Sequence, residues 1–439
     1  MRRLQLVLLA SLAMACKSNA LPTAGGDAVP AASITTPKSL ALANAPKPPL
    51  DLMWESLRQE GSTYKANVRG GGTAELSVDA DLQKFSERAL AAAKLRTGAA
   101  VAIDVNTGRV LAFASYPTGA THQAALATAP AASVFKMITG TALLETGKVT
   151  PKTEECFGGG GSQRLTDRDL AVDPARDHTC VSLAHAMGHS TNAVFARLAM
   201  RLVPKESLKK VAERLRFTRD FGLDVPLQPS KYAPPDDDGG YARTAAGFWN
   251  TTLSAPHAAW LSAVVAGRGS TPTPWLIARA EREGASPYVH EAAAAEAVIS
   301  PETASSLNEM LSTTVTDGTA RKAFHDGAGR SFVGDVAVAG KTGTLTDHAN
   351  KVYYTWFTSF APAAPMAGLD PIAVAVLAAN GPDWKIKANV IAREILRHSF
   401  AARKVPGVLA NAAPAYEKPE KAKRSAGPAG PKKHTPAPR

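Results

Sequence analysis

Short apolar runs at the two ends of a long central block constrain the fold of this chain most. Ala99 to Ala114 is apolar on both sides of a turn at Asn106-Thr107-Gly108, which reads as a β-hairpin. Far along the chain, Val336 to Ala339, Tyr353 to Phe360 and Ile372 to Ala378 are rich in β-branched or aromatic residues and read as buried strands. Helical patterns lie before and between them. Asp79 to Lys94 sets Leu82, Phe85, Ala89 and Leu90 on one stripe, and Ser300-Pro301-Glu302 opens a helix with a capping serine and a proline at its first position. Strands and helices fall in blocks rather than alternating. That predicts an α/β domain of the α+β type, with helices flanking an antiparallel sheet.

Composition narrows the classes further. The chain has 439 residues, 45% hydrophobic and 20% charged, which excludes wholesale disorder. No three-residue glycine period and no repeat of 20 to 50 residues is present, so collagen, solenoids and propellers are set aside. The net charge is +12, but nine Lys or Arg against Glu417 and Glu420 put +7 of it beyond residue 400. The remaining +5 is too little for a nucleic-acid protein, and no nucleic-acid motif is found.

The start of the chain reads as an export signal. Met1-Arg2-Arg3 precedes the apolar run Leu4 to Ala15, which is too short to span a bilayer. Ala13-Met14-Ala15-Cys16 resembles a lipoprotein cleavage box that makes Cys16 the lipidated first mature residue, with membrane attachment on the periplasmic side of the envelope. Cleavage after Ser18-Asn19-Ala20 would instead release a soluble exported protein. With Cys16 lipidated, Cys156 and Cys180 remain. They close a disulfide in an oxidising compartment, or stay as two buried thiols. Residues 17–72 read as a tether and short N-terminal region, 73–402 as the folded domain, and 403–439 as a disordered basic tail rich in Lys, Pro and Ala.

Three tripeptide-scale patterns carry the chemistry. Ser133-Val134-Phe135-Lys136 opens a helical run, so Ser133 and Lys136 share a face near free backbone N–H groups. Ser190-Thr191-Asn192 supplies a hydroxyl and an amide, and Lys341-Thr342-Gly343-Thr344 follows an apolar run, with a glycine that lets a substrate backbone approach. Taken singly, each is equally a capping serine, a solvated lysine or a turn. Together and in this order, Ser-x-x-Lys, Ser-x-Asn and Lys-Thr-Gly resemble the active-site serine enzymes that bind penicillin. The resemblance extends to Ala99 to Asp104, Thr107 to Ala112, Leu253-Ser254-Ala255-Pro256-His257, Gly318-Thr319-Ala320 and Thr355 to Pro362. It covers roughly residues 73–400 and matches a penicillin-binding protein transpeptidase domain.

This resemblance implies a sheet flanked by helices beside an all-helical subdomain. It also implies a serine D,D-transpeptidase acting on D-Ala-D-Ala stem peptides of peptidoglycan, with β-lactams as covalent inhibitors. Ser133 is then the nucleophile and Lys136 its base, while Ser190 and Lys341 relay a proton to the leaving group. Asn192, Thr342, Gly343 and Thr344 hold substrate, and the backbone N–H groups of Ser133 and Thr344 form the oxyanion hole. No cofactor or metal is implied. A D,D-carboxypeptidase, a serine β-lactamase and a non-turnover sensor share the same motifs. A β-lactamase needs a base for its deacylating water, and no Glu-x-x-Leu-Asn stretch follows Ser190-Thr191-Asn192. A large N-terminal pedestal and a glycosyltransferase segment are not seen, which points to a smaller accessory enzyme.

Two other patterns are set aside. Gly334 to Thr342 resembles a phosphate loop but has five residues between its glycines and lies in a strand-like segment. His185 and His189 are spaced like metal ligands on a helix, but Ala-Met-Gly between them lacks the glutamate of a metalloprotease. The Gly-x-Ser-x-Gly elbow of α/β-hydrolases does not occur.

Overall fold

The computed structural model describes residues 49–158, 165–383, 386–408 and 413–417. Cys16 and its cleavage box, most of the expected tether, and residues 418–439 lie outside the described residues.

The chain begins with three strands, β1 (Leu52–Glu60), β2 (Thr63–Val68) and β3 (Thr73–Leu76), and then helix α1 (Ala80–Ala92). Asp79 caps α1 by accepting a hydrogen bond from the Leu82 N–H at 2.9 Å. The expected hairpin follows as β4 (Thr97–Asp104) and β5 (Val110–Tyr116). Its turn is held by the Asp104 carboxylate, which accepts from the backbone N–H groups of Asn106 and Thr107, while Gly108 adopts φ +72°.

The middle of the chain is mainly helical: α2 (Lys136–Glu145), α3 (Asp167–Leu170), α4 (Leu183–His189), α5 (Asn192–Leu202), α6 (Lys205–Arg214), α7 (Asp238–Ala245) and α8 (Ala255–Ala266). Within it, β6 (Glu154–Phe157) and β7 (Thr179–Ser182) form a small hairpin with Cys156 opposite Cys180, and a disulfide joins the two. The short strands β8 (Ser270–Thr271), β9 (Ile277–Glu281), β10 (Tyr288–Val289) and β11 (Glu296–Ala297) come next. Helix α9 (Pro301–Thr316) starts at the Ser300 cap, followed by α10 (Arg321–Phe324), β12 (Ala339–Asp347), β13 (Val352–Ala361), β14 (Ile372–Asn380) and α11 (Ala388–Ala402).

The main sheet is antiparallel throughout, in the order β12-β13-β14-β4-β5, so the early hairpin zips onto the last strand of the chain. Alternation of side chains explains why its strands read as continuous apolar runs. Ala99, Val101 and Ile103 of β4 enter one core with Phe135 and Trp260, whereas Ala100 and Ala102 enter another with Phe85, Ile391 and Phe400. Ala373, Ala375 and Leu377 of β14 likewise face the first core, and Ile372, Val374 and Val376 the second. Both faces are therefore covered, α8 lying on one and α1 with α11 on the other.

Three sequence expectations are corrected here. The strand expected at Val336 to Ala339 begins only at Ala339, so the Lys-Thr-Gly run lies within the strand rather than after it. Val336 and Val338 bury their side chains from an irregular segment, whose Ala337 carbonyl accepts from the Ala363 N–H. The short N-terminal region expected before residue 73 is also structured, because β1 and β2 join β3, β9 and β10 in a second five-stranded sheet. Tyr64, Ala66 and Val68 alternate into its core. Finally, the tail docks as far as it is described. The Tyr416 hydroxyl donates to the Ala89 carbonyl at 2.8 Å, Arg88 pairs with Glu417 at 2.7 Å, and the Ala415 N–H donates to Glu394 at 3.1 Å.

Candidate active site

The segment Ala132–Phe135 is a single tight turn leading directly into α2, which places Ser133 one turn ahead of Lys136. Ala132 sits at φ +48°, a left-handed conformation that costs a non-glycine residue about 1–2 kcal/mol. Surrounding contacts hold it there. The Trp356 indole N–H donates to the Pro130 carbonyl at 2.9 Å, and Gly247 at φ +88° lies so close that a Cβ would meet the Ala132 carbonyl oxygen at 2.5 Å. A Cβ on Gly343 would in turn meet Trp356 at 3.1 Å and Ala132 at 3.3 Å. The two glycines let backbone close on both sides of the serine turn.

Lys136 is fully buried, and its amine lies 2.9 Å from Ser133 Oγ, 2.7 Å from Asn192 Oδ1 and in close contact with the Ala246 carbonyl at the end of α7. The two carbonyl-type oxygens can only accept, whereas the serine hydroxyl can donate. A neutral amine with two N–H groups and one lone pair fits that set, with the hydroxyl proton directed at nitrogen. Burial, reinforced by the charge of Lys341, holds the Lys136 ammonium well below its usual range.

Ser190 ends α4 in a left-handed conformation, φ +61°, which turns its hydroxyl toward β12. Lys341, also fully buried, donates to Ser190 Oγ at 3.1 Å and to the Thr342 carbonyl at 3.0 Å. Burial lowers its pKa to about 7. Asn192, the first residue of α5, is thereby shared between the helical region and the serine turn.

These residues meet at a groove of about 720 Å³, lined among others by Ser133, Ser190, Asn192, Thr342, Gly343 and Thr344. Lys136 and Lys341 lie beneath its floor. Strand β12 is the edge of the main sheet, so it presents backbone groups on the side away from β13. The Cys156–Cys180 bridge stands apart from the groove lining. Sequence reasoning gave no role to Gly247, to the Ala246 carbonyl, to the half-exposed Trp249 on the groove wall, or to Thr319, whose hydroxyl lies 2.6 Å from that of Thr342. Thr319 stands in one of the resemblance segments, which was the available signal. Gly247 is one glycine among 34 and gave none.

The arrangement defines a class. A model of the penicillin binding protein transpeptidase domain matches residues 98–397, and the chain belongs to that family. Among curated proteins, it is 28% identical over 331 residues to the peptidoglycan D,D-transpeptidase PbpA of Mycobacterium tuberculosis, covering 65% of this chain and 62% of that protein. It is 28% identical to the stage V sporulation protein D of Bacillus subtilis, covering 76% of this chain and 54% of that protein. The chain thus spans less than two thirds of these relatives' length. Among solved structures, penicillin-binding protein A of M. tuberculosis in an imipenem acyl-enzyme complex superposes with a TM-score of 0.60 at 23% identity, covering 75% of this chain and 80% of that one. Penicillin binding protein 3 of M. tuberculosis with aztreonam gives 0.62 at 20% identity, covering 79% and 83%. The fold is that of the penicillin-binding transpeptidase domains.

Proposed function

We propose that this chain is a serine D,D-transpeptidase of peptidoglycan synthesis that acts on stem peptides ending in D-Ala-D-Ala and is acylated by β-lactams. The observation that carries this reading is the buried Lys136 amine, 2.9 Å from Ser133 Oγ and otherwise surrounded by acceptors.

Ser133 Oγ attacks the carbonyl of the penultimate D-Ala while its proton passes to Lys136. Negative charge gathers on the carbonyl oxygen, which the backbone N–H groups of Ser133 and Thr344 receive. As the C–N bond breaks, the leaving D-Ala nitrogen takes a proton through Ser190, backed by Lys341 at 3.1 Å. Asn192 orients the substrate amide, and Thr342 and Thr344 hold the terminal carboxylate, with Gly343 admitting the peptide backbone against the sheet edge. The amine of a second stem peptide then displaces serine from the ester, re-forming an amide and cross-linking the two. No cofactor takes part. The work is extracytoplasmic, with the chain exported and tethered to a membrane through lipid on Cys16.

The test uses the purified chain and an acylated peptide ending in D-Ala-D-Ala, with and without an amine acceptor. The expected result is D-Ala release and acceptor-dependent ligated product. Release with water as the only acceptor would make the enzyme a carboxypeptidase. No release at all would overturn the reading.

A further inference from the structure

The histidine pair set aside in the sequence acquires a third partner in the fold. His185 and His189 lie one turn apart on α4, with rings 4.0 Å apart and inclined by 19°. His189 Nε2 is 3.0 Å from Oδ2 of Asp317, the residue that ends α9. One ligand atom from each of the three lies within 4.8 Å of the others. We propose that His185, His189 and Asp317 form a binding site for a borderline divalent cation of the zinc class at the rim of the groove.

The donor set selects the class of ion. Two imidazole nitrogens and one carboxylate oxygen suit zinc, cobalt or nickel rather than magnesium or calcium, which prefer all-oxygen shells. Four-coordinate bonds of about 2.0–2.1 Å place neighbouring donors roughly 3.3 Å apart. The His189–Asp317 pair already stands at that separation, and a side-chain rotation of His185 closes the rest. An ion pair alone accounts for His189 with Asp317 but not for the second imidazole stacked on the first. With three protein ligands, one position stays open toward solvent.

The supporting frame is rigid. A Cβ on Gly188 would meet Thr313 Cγ2 at 2.6 Å, and one on Gly318 would meet the Gly188 carbonyl oxygen at 2.2 Å, so α4 and the end of α9 touch through backbone. The Thr319 N–H donates to the Gly188 carbonyl at 3.0 Å. A bound ion therefore clamps the turn carrying Ser190 to the turn carrying Thr319, on whose hydroxyl Thr342 rests. This site does not depend on the transpeptidase reading, since its readout is binding.

The experiment titrates Co²⁺ into chelator-treated full-length protein, follows the visible bands of four-coordinate cobalt, and then displaces cobalt with Zn²⁺. One cobalt per chain is expected. Loss of an outer partner of a metal ligand already weakens binding about 10–100-fold, so His185→Ala and Asp317→Ala are each expected to weaken it at least tenfold. In parallel, Zn²⁺ raises the melting temperature of the wild type but not of His185→Gln, which keeps the helix and removes the ligand. Absence of cobalt binding by the wild type, or equal affinity in a His185→Ala/Asp317→Ala double variant, would overturn the proposal.

Discussion

Lys136 and Lys341 are two buried lysines with opposite requirements. Lys136 works as a base only when neutral, and burial beside Lys341 shifts its balance toward that form. Lys341 backs the Ser190 proton relay only while it keeps its own proton, yet burial has brought it to about 7. The acylation rate constant for a β-lactam should therefore gain from loss of the Lys136 proton and fall as Lys341, at about 7, loses its own. Replacing Lys136 with alanine should lower acylation by about 10²–10⁴-fold and remove the rising limb. Stopped-flow acylation from pH 5 to 9 checks this, and a variant that keeps the rising limb would assign it to another group. The residue types and their spacing were readable in the sequence. The proton balance was less so, because the acceptors on Lys136 come from Asn192 and Ala246, 56 and 110 residues away.

At the scale of elements, one side chain gathers several pieces of the helical region. Arg197 on α5 is buried against Asp177, with Nη1 at 2.6 Å from Oδ2, and it also donates to the carbonyls of Cys156, Asp169 and Ala171. It thus ties the disulfide hairpin and α3 to the helix that begins at Asn192. Removing Arg197 leaves Asp177 without its cation and three carbonyls without their donor, so Arg197→Ala should lower the midpoint of chemical unfolding relative to the wild type. An unchanged midpoint would mean that Asp177 finds water instead. The strands β4, β13 and β14, the stripe of α1 and the capped start of α9 were legible because their signals are local: both-face burial gives continuous apolar runs, one face gives a helical stripe, and a Ser caps its own helix. By contrast, β1 to β3 were missed because β1 shows little alternation and its sheet is completed by β9, some 200 residues further on. Arg197 carried no sequence signal, since its partners lie on β6, on α3 and on the segment leading to β7, 20 to 41 residues away.

Across the whole molecule, buried neutral histidines set the acid limit. His257 donates from Nε2 to the Leu215 carbonyl at 2.6 Å and accepts at Nδ1 from the Ser230 hydroxyl at 2.8 Å. Burial pushes both His122 and His257 down to about 3. The unfolded chain binds these two protons from about pH 6.5 downward while the folded chain does not, so stability present above pH 6.5 is lost as pH falls toward 3. Asp224, pushed up to about 6 by burial, takes up a proton in the folded state over part of that range and offsets one of the two. Below pH 6 these three groups together still leave stability falling as pH falls. Unfolding free energies at pH 8, 6.5 and 5 test the sign, and a stability that is flat from pH 8 to 5 would contradict it.

The central claim is that Ser133 is a nucleophile activated by Lys136. Intact-protein mass after incubation with benzylpenicillin, for wild type beside Ser133→Ala, tests it most directly. A stable adduct of one drug mass is expected on the wild type and none on the variant. An adduct on Ser133→Ala, or an unmodified wild type in the presence of intact drug, would contradict it.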